Sequence, residues 1–172
     1  GVVQVGAGHE LEDALAHVFT EVPGLGGIYA ISGSENLTNC YSHGNASGCP
    51  RCKDRTDAEV LSEVVATLEK GVHRAAPEAQ VIISDWGWRG HGDARDIIAQ
   101  LPKNIWLMSV SEWALPIERG GVESVVGEYS ISSVGPGPRA LPHWEVARER
   151  GLKTGAEIQF NNTCELASIP YL

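Results

Sequence analysis

Leu11, Leu15, Val18, Phe19 and Val22 recur at the three-and-four spacing of one helical face, and Pro23-Gly24-Leu25-Gly26-Gly27 stops that helix before an apolar run over 28–31. The pattern predicts helix, tight loop, strand. Thr56 and Glu59 then form a capping box, since the Thr side chain can accept the Glu59 amide and the Glu can reach back to the Thr56 amide. Val60, Leu61, Val64, Val65, Leu68 and Val72 make the buried stripe of the helix that follows. After Pro77, Val81-Ile82-Ile83 is a continuous apolar run of the kind carried by a strand covered on both faces. Ala94, Ile97, Ile98 and Leu101 mark a short third helix ended by Pro102. A further strand is expected over 105–110, a helix over 141–150 with Gly151 at its C′ position, and a last strand over 156–160. Between them, 123–132 is expected to hold an extra strand or hairpin, and Gly135-Pro136-Gly137-Pro138 a rigid turn.

Strands alternating with helices at this spacing argue for right-handed βαβ units and a parallel sheet. The fold class is therefore α/β, a partial (β/α) barrel of about four βα units with parallel strands, because a closed barrel of eight takes roughly 200 residues or more. A complete small open sheet is the alternative. One domain over 1–172 is expected, and the first residue Gly1 together with the apolar close at Ile169-Pro170-Tyr171-Leu172 suggests a piece of a longer chain, a processed chain or trimmed ends. An incomplete barrel would leave unpaired strand edges, so a homodimer or a missing barrel half is the expected partner.

Composition narrows the ligand. A formal charge of −9 with no clustered Lys or Arg excludes a phosphate-binding surface, so nucleic acid is not an expected partner. No apolar run reaches the ~18 residues needed to cross a bilayer, and the N-terminus lacks a basic-then-apolar leader. The expectation is a soluble, cytoplasmic chain with no membrane partner that takes a neutral or small ligand.

Parallel α/β folds gather reactive groups at the carboxyl ends of their strands, where the following loops converge. There the sequence has Ser32-Gly33-Ser34-Glu35-Asn36, Ser84-Asp85-Trp86-Gly87-Trp88, Ser111-Glu112-Trp113, and Gln159 with Asn161-Asn162-Thr163-Cys164-Glu165. Each set carries a carboxylate, and two carry tryptophan. Paired carboxylates suit glycosidic cleavage, one protonating the leaving oxygen while another stabilises or attacks the oxocarbenium-like centre. Tryptophan offers a flat apolar face to a pyranose ring. A strand-end carboxylate can equally be a helix cap or a solvated loop residue.

The stretch 22–27 leading to Ser34-Glu35-Asn36, together with Asp85-Trp86-Gly87-Trp88, Glu128-Tyr129-Ser130-Ile131-Ser132 and Gln159-Phe160-Asn161-Asn162-Thr163, resembles glycoside-hydrolase-type barrels, in particular the family 20 hexosaminidase-like group. The resemblance covers roughly strands four to seven of such a barrel. It implies a saccharide substrate and a general acid at Glu35. Family 20 enzymes place an Asp directly before that Glu, where this chain has Ser34. Retaining barrel hydrolases of a second pattern would pair Glu35 with a nucleophile at Glu165. The resemblance and the strand-end positions together make Glu35, Glu165 and Asp85 the catalytic candidates, and Trp86, Trp88, Glu112, Trp113, Gln159 and Asn161 the substrate-binding ones. A noncatalytic carbohydrate-binding or zinc-stabilised structural domain is the alternative.

One loop stands apart. Cys40, His43, Cys49 and Cys52 offer four soft ligands at spacings that close a tetrahedral, structural zinc site, with Cys49-x-x-Cys52 as the knuckle half. A disulfide within the loop and free thiols remain open. Cys164 reads as a lone thiol, and His91 as a solvated loop residue or a ligand contact. His9, His17, His73 and His143 read as surface or partly buried. No glycine cluster follows a strand and opens a helix as a phosphate loop must, which sets nucleotide binding aside.

Overall fold

The computed structural model describes residues 8–33, 38–42, 46–90, 94–127 and 133–158. Helix α1 (Gly8–Glu21) leads into strand β1 (Gly27–Ile31), and α2 (Asp57–Ala75) leads into β2 (Gln80–Ser84). A 3-10 turn over Trp86–Gly90 and the short α3 (Arg95–Ile98) precede β3 (Trp106–Val110). After an antiparallel hairpin, β4 (Pro116–Arg119) with β5 (Val122–Val125), α4 (Ala140–Arg150) leads into β6 (Lys153–Glu157). The main sheet has the order β1-β2-β3-β6 and every pairing in it is parallel. The α/β class with a parallel sheet is thus observed.

Sequential order has a direct spatial consequence. Crossovers of one hand that never reverse direction lay their helices on one face of the sheet. The core agrees: Val81 and Ile83 of β2 and Leu107 of β3 pack with Phe19 of α1, Leu61, Val65 and Val72 of α2, Ile97 and Ile98 of α3, and Ala147 of α4. Each fully buried Leu, Ile or Val contributes roughly 1.5–3 kcal/mol of burial free energy. The alternate residues, Tyr29, Ile31, Ile82, Trp106 and Met108, fall on the other face, where Tyr29 and Ile31 are exposed.

The capping box at Thr56 and Glu59 forms as the sequence predicts, and Gly151 ends α4 in the left-handed conformation, φ 81°. Four expectations change. Val18 and Val22 are exposed, because the buried line of α1 runs through Ala16 and Phe19. The hairpin begins earlier than expected: Gly120 and Gly121, at φ 59° and 79°, supply the two positive-φ residues of a two-residue turn. The last strand is polar Lys153–Glu157 rather than 156–160, since a strand paired, among the described residues, with β3 alone needs no continuous apolar run. Finally, His143 is buried rather than near the surface. Among the described residues no helix is long and apolar enough to cross a membrane.

Candidate functional site

The carboxyl ends of β1, β2, β3 and β6 lie along one rim, and three kinds of side chain meet there. On the face opposite the described helices, Glu157 ends β6. Its Oε2 accepts the Tyr29 hydroxyl of β1 at 2.6 Å and the Ser84 hydroxyl of β2 at 3.1 Å. One carboxylate therefore spans the sheet from its last strand to its first. Burial, and then the hydrogen bond to Glu157, raise the Tyr29 phenol well above its ordinary range, so Tyr29 remains a donor throughout the physiological range. Neither Tyr29 nor Glu157 stands out in the sequence, since β6 is polar and its end is not marked by an apolar run.

Asp85 turns the other way. It is 1% exposed, its Oδ2 meets Nδ1 of His143 on α4 at 2.7 Å, and its Oδ1 accepts the Val110 amide of β3 at 3.4 Å. These bonds join the end of β2 to β3 and to α4 inside the helix layer. The Asp85 backbone amide also donates to Met108 O at 3.0 Å.

Among the aromatic candidates, Trp88 is fully buried in the main core and its indole donates to Ser32 Oγ at 3.1 Å. The turn that carries it sits hard against the end of β1: a Cβ added at Gly87 would lie 2.5 Å from Ser32 O. Trp113 is 4% exposed, donates its indole N–H to Gly127 O, and stacks under the Arg139 guanidinium at 4.3 Å. Trp86 differs in being half-buried, and its amide donates to Ser84 Oγ at 3.2 Å. Glu112 is 1% exposed and accepts the Ser111 hydroxyl at 2.6 Å. The glycine-proline strap lies directly on this segment: Gly137 N donates to Ser111 O at 2.6 Å, and a Cβ at Gly137 would come within 2.3 Å of Trp113 O.

The structure brings together Asp85, Trp86, Trp88, Glu112 and Trp113 near the rim. Glu35, Glu165, Gln159, Asn161 and His43 lie outside the described residues, as do His91 and Cys164. The 460 Å³ cleft lined by Glu69, His73, Gln80, Asn104, Trp106 and Lys153 opens at the opposite, amino end of the strands. His73 there is held between Glu69 at 2.7 Å and Ala79 O at 3.0 Å.

The second cluster lies between β1 and α2. The sulfurs of Cys40, Cys49 and Cys52 fall within 4.8 Å of one another, close enough to bind a metal ion. All three are free thiols. The Cys49 thiol is pulled down to about 7, first by the Arg51 backbone amide and then by a hydrogen bond from Cys40. Burial, followed by bonding to the other two sulfurs, pushes the Cys40 thiol up to about 12. Cys52 is wholly buried against Ala46 and Val60.

No protein-family model, no curated protein and no solved structure matches the chain.

Proposed function

We propose that this chain is a glycoside-hydrolase-like partial (β/α) barrel that binds and hydrolyses a saccharide at the carboxyl rim of its strands. The supporting observation is the sheet itself: four parallel strands in sequential order, the described helices on one face, and an opposite face ending in a carboxylate, Glu157, held by Tyr29 and Ser84. A closing barrel needs that one-sided arrangement, and its interior carboxylates then point toward the substrate. Half-buried Trp86 follows β2 at the same rim, and an indole is the side chain on which a pyranose stacks. Within this reading Glu35 is the general acid, Glu165 its candidate partner, and the three thiolates hold zinc(II), which sulfur donors favour, in a structural role.

The deciding experiment is hydrolysis of a panel of aryl glycosides by the wild type and by Glu35→Gln. Turnover that falls by at least about 100-fold in the variant while saccharide binding persists supports the assignment. Unchanged turnover removes Glu35 from the mechanism. A second reading, a noncatalytic carbohydrate-binding domain, draws on Asp85 being fully engaged by His143 and Val110 rather than facing the rim. Binding of saccharide without turnover in the wild type would select it.

A further inference from the structure

The segment 32–56 joins β1 to α2 without a helix or strand among its described residues, well beyond the ~12–15 residues at which such loops become uncommon. Its two halves are each anchored to a different element. The first half hangs on β1: Gly33 N donates to Thr38 Oγ1 at 3.1 Å, and Thr38 N and Asn39 N donate to Ser42 Oγ at 3.1 and 3.2 Å, which fixes the turn bearing Cys40. The second half hangs on α2. Cys52 N and Lys53 N donate to Cys49 O at 3.2 and 2.9 Å, and Arg55 N donates to Cys52 O at 3.0 Å directly before the capped helix. The tight turn at 49–52 puts both of its sulfurs beside that of Cys40. Across the halves, the Tyr41 hydroxyl donates to Arg55 O at 2.5 Å.

Three sulfurs converge, and a disulfide can use only two of them. Tetrahedral zinc with Zn–S bonds of about 2.3 Å sets its sulfurs roughly 3.8 Å apart, a separation that fits within the 4.8 Å span seen here. The ion would take all three thiolates, releasing their protons, and link the β1 half of the loop to the α2 half.

We propose that Cys40, Cys49 and Cys52 form a zinc(II) thiolate site that clasps the two halves of the β1–α2 loop, tying the turn at 38–42 to the turn at 49–55 that leads into α2. The clasp does not depend on the hydrolase reading above. A metal bound only in the folded loop stabilises that loop by its own binding free energy, and its removal opens the loop before the core.

The test uses the whole chain as purified, with zinc content, thiol alkylation and limited proteolysis as readouts. Elemental analysis is expected to give about one zinc per chain. Alkylation should spare the three loop thiols until a chelator is added. Chelation is expected to raise cleavage within 34–55 at least tenfold while the main unfolding transition persists, and zinc alone should reverse it. Cobalt(II) in place of zinc should show thiolate-to-metal charge-transfer absorption, lost in Cys40→Ser. Protein that carries no zinc as purified, takes up none when zinc is added, and keeps its loop thiols reactive throughout would overturn the site, and that result does not depend on any variant folding. Zinc that can be removed without change in loop cleavage would overturn the clasp. A zinc-clasped loop in a protein that turns over no glycoside would sink the hydrolase reading alone.

Discussion

At the residue scale, Asp85 and Trp88 separate what a strand-end position suggests from what packing decides. Both sit in the Asp-Trp-Gly-Trp turn, where the sequence places chemistry, yet Asp85 is sealed against His143 and Trp88 against Ser32. Asp85→Ala is expected to cost about 3 kcal/mol in denaturant unfolding, since it leaves His143 buried without its partner. A variant of full stability that had lost saccharide binding would return Asp85 to the site. Trp88→Ala should cost about 3–5 kcal/mol. By contrast, Trp86→Ala should cost about 1 kcal/mol or less and abolish saccharide retention on affinity electrophoresis. Residue type and spacing were legible in the sequence here. Which of two tryptophans two positions apart turns inward depends on the 3-10 geometry after β2, which no periodicity encodes. Glu157 was missed for the converse reason: its strand is too polar to announce itself, so its place at a strand end was not visible.

Elements defined by local chemistry were read most accurately. The capping box needs only Thr56 and Glu59 at their fixed offset, and both reciprocal bonds form, Glu59 N to Thr56 Oγ1 at 3.2 Å and Thr56 N to Glu59 Oε2 at 2.8 Å. The Thr56 amide, and then its hydroxyl, hold the Glu59 carboxyl below its usual range. A depressed folded-state value makes the stabilisation present above the unfolded carboxylate pKa and lost as pH falls through the folded one. Glu59→Gln should therefore unfold at lower denaturant than wild type near about pH 7, with the gap closing near about pH 3. A gap that persisted in acid would mean that Glu59 acts through something other than its charge. Thr56→Ala should cost ~1 kcal/mol near neutrality. The β4–β5 hairpin shows the limit of such reading: the Gly120-Gly121 turn was there to be read, but the flanking residues are exposed and irregular in hydropathy, so the apolar pattern set its start too late.

For the whole molecule, the alternation of helix and strand was enough to give the class and the parallel sheet, since few topologies accommodate it. The core did not follow as directly, because burial on α1 depends on where α2 crosses it. Gly71 marks that crossing: a Cβ there would lie 2.8 Å from Glu12 O. Beside it, Arg74 pairs with Glu12 and Asp13 at 2.8 and 2.6 Å. The sheet order sets a gradient of protection. In amide hydrogen exchange β2 and β3, each paired on both sides, should exchange most slowly, with β1 and β6 faster by at least about tenfold. Equal protection of all four would show that something covers the outer strands in solution.

Those outer strands also carry a polarity. Because β1 and β6 point the same way as their neighbours, any strand that joins either border in parallel register arrives with the same orientation and delivers its own C-terminal loop to the rim where Glu157 and Trp86 stand. Growth of the sheet in that register enriches one mouth and leaves the other bare, so new chemistry accumulates on a single side.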